Sequence, residues 1–150
     1  MTHQRLAVNE IDPKAYQAVF GLERYVRESG LDHSLYELIK IRASQLNSCA
    51  YCLDMHSRDA RAAGEDQRRL DVLSAWREAP DLFTEPERAA LALTEAITRI
   101  GDGGVPDEVW DTARKHFDDV GMVNLLMAVS VINVWNRLAV STHQELPAQP

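Results

Sequence analysis

The chain has 150 residues, 45% apolar and 26% charged, with a formal net charge of −7. Such a length and balance suit a globular protein, most simply one domain, able to bury a core without disulfide or metal staples. The acidic surplus excludes a basic footprint for nucleic acid or an anionic membrane.

Met1–Glu10 has no apolar core of signal-peptide length. The longest apolar stretch, Leu125–Val134, is interrupted by Ser130 and Asn133 and is too short to span a bilayer. The expectation is a cytoplasmic protein that binds neither nucleic acid nor membrane.

The pattern predicts helices nearly throughout. Pro13 suits the first turn of a helix running to about Glu28, stopped by Ser29-Gly30. Asp32 suits the N-cap of the next, whose apolar positions Leu35, Leu38, Ile39, Ala43 and Leu46 keep helical spacing. Asn47-Ser48 breaks that run, and Ser48 suits the N-cap of a helix ending near Gly64. A helix is expected from about Glu65 to Glu78, before Pro80. Thr84-Glu85-Pro86-Glu87 combines a cap, a first-turn proline and early acids, and starts a helix to about Ile100. Gly101-Asp102-Gly103-Gly104 reads as a loop. A short helix spans Pro106 to Phe117 and a long one Val120 to about Ser141, followed by a loose tail, Leu146–Pro150. No β alternation and no repeat interrupts this pattern, so the fold class is all-α.

Chemistry concentrates in one stretch. The only two cysteines are Cys49 and Cys52, and His56 follows the second by four residues. On a helix these three side chains fall within ~60° of one another. Two thiols at this spacing can close a disulfide reversibly, and a nearby base can supply the reactive thiolate. In a reducing compartment a lone CxxC points to catalysis or metal binding before a structural staple. Cys49 would sit in the first helical turn if Ser48 is the cap, where the helix dipole favours thiolate; for Cys52 that effect is fading, and His56 supplies a base.

If the helices flanking Asn47-Ser48 form an antiparallel hairpin, Glu37 and His56 lie at equal distances from the turn and therefore side by side. Glu37 cannot reach Cys49, ~18 Å further along its helix. The implied relay runs from Glu37 to His56 to Cys52, the carboxylate orienting the imidazole and the imidazole taking the thiol proton. Two alternatives remain at this point. The cysteines could be small buried hydrophobes, or Cys49, Cys52 and His56 could hold zinc, although a closed zinc site wants a fourth ligand and His3, His33, His116 and His143 are scattered. A thioredoxin-type fold would need strands that the pattern lacks. Trp135, Asn133 and Asn136 suit packing and helix-end capping, Arg42 suits a snorkelling surface position, and Arg58–Arg69 reads as a solvated face.

The spacing Glu37, eleven residues, Cys49-x-x-Cys52-x-x-x-His56 resembles the AhpD-like alkylhydroperoxidases of the carboxymuconolactone decarboxylase superfamily. The resemblance extends through Ser44-Gln45-Leu46-Asn47, His56-Ser57-Arg58-Asp59-Ala60-Arg61-Ala62-Ala63-Gly64, Glu87-Arg88-Ala89-Ala90-Leu91 and Ile132-Asn133-Val134-Trp135-Asn136-Arg137-Leu138. It implies an AhpD-like helical bundle that reduces a hydroperoxide with a cysteine pair. Cys52 resembles the peroxide-attacking cysteine, Cys49 the resolving one, and Glu37 and His56 the proton-relay groups. It further implies an external dithiol reductant, lipoyl or thioredoxin-like, and no flavin, haem or metal cofactor. Two positions depart from the pattern. Tyr51 stands where the best-characterised type has histidine, and tyrosine cannot replace an imidazole base. Ser48 stands where many relatives have glycine. The decarboxylase branch shares the fold but lacks the paired cysteines, and a redox sensor that kept them is a further alternative.

The last long helix has apolar residues around most of its circumference, from Val123 through Leu126, Val129 and Ile132 to Trp135. Such a helix must be covered on most sides. With the family's habit of forming trimers or trimers of dimers, this leads to an expected homo-oligomer, a hexamer first and a trimer next.

Overall fold

Helix starts are set by side chains that satisfy the first free backbone N–H groups. In this computed structural model, which describes residues 3–148, Asp12, Asp32, Asp66, Thr84 and Asp118 each accept a backbone N–H at a helix start. Among the described residues eight α-helices result: α1 (Val8–Ile11), α2 (Pro13–Glu28), α3 (His33–Leu46), α4 (Ala50–Ala62), α5 (Gln67–Val72), α6 (Glu85–Thr98), α7 (Asp107–Arg114) and α8 (Asp119–Thr142). No strand occurs among the described residues, so the all-α expectation holds. The expected capping box at Thr84 and Glu87 forms in both directions.

Three stretches differ from the reading of the sequence. Val8–Ile11 adds a one-turn helix before Pro13. The helix expected from Glu65 to Glu78 is broken: α5 ends at Val72, and a 3₁₀ segment continues to Glu78 with Ala75 outside helical geometry (φ −121°, ψ 31°). Bending the chain there lets Leu73 and Trp76 both turn into the core beside Leu70. The third is α8, 24 residues long, which meets the length and composition of a membrane-crossing helix. It is instead packed against α2, α3, α4 and α6 and carries buried Asn124 and Asn136 among its apolar residues. Its length follows from spanning the bundle. The expected loose tail from Leu146 has no regular structure as far as Ala148; Gln149 and Pro150 lie outside the described residues.

The bundle is organised around α3. One side joins α2, α6, α7 and α8 through Val26, Tyr36, Ile39, Leu93, Leu125 and Val129. The other joins α4, α5 and α6 through Leu38, Ile41, Ala60, Leu73 and Leu91. Burial on both sides leaves α3 no solvent face over most of its length. Arg42, expected to snorkel, instead donates to Glu95 Oε1 at 2.8 Å with its side chain only 11% exposed. Trp76 Nε1 donates to the same oxygen. Arg69, expected on a solvated face, is held by Glu65 and Glu87 and donates to the Leu82 carbonyl.

Candidate active site

The α3–α4 connection is a tight reversal. Asn47 ends α3 and Ser48 takes the left-handed conformation at φ 53°. The Ser48 N–H donates to Gln45 O and the Cys49 N–H to Ser44 O, which satisfies the last carbonyls of α3. Ser48 adopts this geometry against the usual preference of L-residues.

A partly buried amide network fixes the turn from outside. Asn47 Nδ2 donates to Asn133 Oδ1 and Asn136 Oδ1, both at 2.9 Å. Asn136 Nδ2 donates to Ser44 Oγ, which donates to Lys40 O, and Asn133 Nδ2 donates to Thr98 Oγ1. Asn133 and Asn136 therefore tie α8 to the end of α3. Trp135 packs edge-on against Tyr16 and Phe20, and its indole N–H reaches Glu23 at 3.4 Å.

The turn places both sulfurs at the start of α4. Cys49, and not Ser48, is the N-cap: its Sγ accepts the Cys52 N–H at 3.4 Å. This shift of one residue puts Cys52 within the first turn, where the helix dipole acts on it more strongly than the sequence reading assumed. The two cysteines are joined as a disulfide with Cα atoms 5.4 Å apart, and both residues are buried, packed with Ala139 and Tyr51. Cys49 lines a cavity of about 780 Å³ whose other walls include Ser48, Tyr51, Val140 and His143; Cys52 is not among its walls. Cys52 instead shares the inner face of α4 with His56, one turn on.

The hairpin register does bring Glu37 beside His56. Glu37 Oε2 lies 3.8 Å from His56 Nδ1, just beyond hydrogen-bond reach, and neither ring nitrogen has a hydrogen-bond partner in this oxidised state. The other carboxylate oxygen accepts Lys40 Nζ at 2.6 Å, with Lys40 only 2% exposed. Sequence reasoning missed Lys40; its i+3 spacing from Glu37 was the available signal. Lys40 also stands over the Tyr36 ring at 4.3 Å. The Tyr36 hydroxyl is buried without a partner, and burial beside Glu23 pushes its pKa far up.

Burial first, then the positive charges of Lys40 and Arg27, pull His56 down to about 3. The Glu37 carboxylate acts the other way: alone at this distance it would favour imidazolium by about 4 kcal/mol at an effective dielectric of about 20. The lowering wins, and the imidazole is uncharged at neutral pH. An uncharged, unpartnered imidazole next to a cysteine can accept a proton.

A buried neutral histidine makes folding sensitive to acid. Its folded pKa lies below the unfolded value, so the unfolded chain takes up the proton first, and stability present above about pH 6.5 is lost as pH falls toward 3. Between pH 7 and 5 this one group should cost about 2 kcal/mol. Urea unfolding at the two pH values should show that loss in the wild type and a loss smaller by about that amount in His56→Gln. Equal losses in both proteins would contradict it.

Comparison with known proteins identifies the family and the fold. Residues 13–96 match the model of the carboxymuconolactone decarboxylase family. The uncharacterised protein YdfG of Bacillus subtilis is 41% identical over 138 residues, covering 92% of this chain and 93% of its own. A crystal structure from Agrobacterium tumefaciens, of a protein of unknown function described as a candidate AhpD antioxidant defence protein, is 41% identical with a TM-score of 0.94, covering 98% of this chain and 100% of its own. The debrominase Bmp8 shares the fold at 18% identity and a TM-score of 0.81, covering 93% of this chain and 74% of its own. On the family match and on these relatives together, the chain belongs to the carboxymuconolactone decarboxylase family and to its AhpD-like members.

Proposed function

We propose that the protein is a thiol-dependent peroxidase. The observation that carries the reading is a closable cysteine pair at the head of α4 with a buried uncharged imidazole one turn on. The AhpD description of the Agrobacterium relative supports it.

In the reduced protein His56 takes the proton of Cys52, aided by the helix dipole acting on the first turn. The Cys52 thiolate attacks the terminal oxygen of a hydroperoxide. The O–O bond breaks, Cys52 becomes a sulfenic acid, and an alcohol or water leaves. The Cys49 thiol then attacks the Cys52 sulfur, water leaves, and the disulfide closes. An external dithiol of lipoyl or thioredoxin type reopens it. Its thiolate attacks Cys49, the cysteine that lines the cavity, and Cys52 departs as thiolate. The donor's second thiol releases Cys49 and carries away the oxidising equivalents as the donor's own disulfide. Such a cycle suits a reducing, cytoplasmic setting.

Trapping sulfenic acid with a dimedone-type reagent tests the assignment. Cys52→Ser should abolish peroxide reduction, and Cys49→Ser should oxidise once, carry the label on Cys52 and fail to turn over. Label on Cys49 in Cys52→Ser, with none on Cys52 in Cys49→Ser, would reverse the two roles.

We also propose a homo-oligomer, a hexamer or next a trimer. Ile11, Phe20, Tyr25 and Val123 on α1, α2 and α8 are all at least 46% exposed, apolar side chains that a second copy would cover. Sedimentation equilibrium at low micromolar concentration should give a multiple of the 16.9 kDa chain mass. A clean monomer would contradict the assembly.

A further inference from the structure

The two oxygens of Glu37 meet different neighbours. Oε1 accepts Lys40 Nζ at 2.6 Å, while Oε2 is buried without a hydrogen bond, 3.8 Å from His56 Nδ1. Lysine is almost never buried this deeply unless it is paired. Packing alone would be served by an uncharged side chain, so the ammonium has a use that its alkyl stem does not explain. The other groups around it are Tyr36 on α3, His56 on α4, and Glu23 and Arg27 on α2, the last two paired with each other at 3.3 Å.

Without the ammonium, Glu37 would be a lone buried carboxylate beside an imidazole. The simplest relief is a proton on the ring, giving a carboxylate–imidazolium pair. An imidazolium has no lone pair with which to accept a thiol proton.

We propose that Lys40 is a positioning residue that sets the charge of the Glu37–His56 pair, neutralising the carboxylate through Oε1 so that the ring stays an uncharged base. Its catalytic consequence rests on the thiol peroxidase reading above; its test does not.

The test follows the His56 Cε1–Hε1 signal by NMR from pH 5 to 8 in the oxidised protein, assigned with His56→Gln. The wild-type ring should stay neutral throughout. Lys40→Gln keeps a hydrogen-bond donor for Oε1 but removes the charge, and should move the ring's titration upward by about two pH units or more, into that window. Lys40→Arg should behave as wild type. In Lys40→Gln combined with Glu37→Gln the ring should again stay neutral, because no carboxylate is left to hold the proton. A folded Lys40→Gln protein with an unchanged His56 signal overturns the proposal. So does a charged His56 in the wild type at pH 6, a measurement that needs no variant to fold. A protein with the predicted titrations but no peroxide turnover would retain the Lys40 role and lose the peroxidase reading. Peroxide turnover with an unmoved titration would do the reverse.

Discussion

Lys40 and Glu37 hold an ammonium and a carboxylate 2.6 Å apart inside the bundle, and the site depends on that contact. Taking two ions out of water costs several kcal/mol each, and their attraction returns this only with good geometry. An apolar pair of similar size would hold α3 in place at least as well. The ion pair is therefore weak support for the fold and strong support for chemistry. The stability that tolerates it comes from side chains around it with almost no exposure, among them Leu38, Ile39, Leu91, Leu93 and Ile132. Burying α3 on both sides is what creates the water-poor space in which a carboxylate, an ammonium and an imidazole govern one another's charge.

A second constraint positions the sulfurs relative to that space. Asn47, Asn133, Asn136 and Ser44 hold the α3–α4 reversal by hydrogen bonds between α3 and α8. Hydrogen bonds are directional, and a buried amide left unpaired costs about 1–3 kcal/mol. The network thus fixes the turn more tightly than apolar contact would, and with it the N-cap position of Cys49. Of the two cysteines, Cys49 lines the cavity beside the turn, and Cys52 is buried on α4 one turn before His56.

Much of this was legible in the sequence for identifiable reasons. Asp32 and Thr84 marked the starts of α3 and α6 because a side-chain oxygen on a free N–H is a local interaction, and Pro13 marked that of α2. Equal spacing from the turn placed Glu37 beside His56 because two packed helices share one rise per residue. The start of α4 was misplaced by one residue because the cap is a cysteine Sγ, an atom outside the usual set of N-cap oxygens. The break at Ala75 was not readable because it serves the packing of Trp76 and Leu73, which is tertiary. Arg42 and Lys40 were hidden for a related reason. A long cation on a helix normally reaches solvent, and its burial here depends on Glu95 and Glu37 arriving as partners.

The central claim is that the cysteine pair turns over, and peroxide consumption by the wild-type protein tests it most directly. With a small dithiol such as dihydrolipoamide in large excess, the account predicts many equivalents of an organic hydroperoxide reduced per protein chain, at a constant rate until the dithiol is spent. Consumption that stops after a single equivalent, with the disulfide closed and not reopened, would contradict it and leave a one-shot redox sensor.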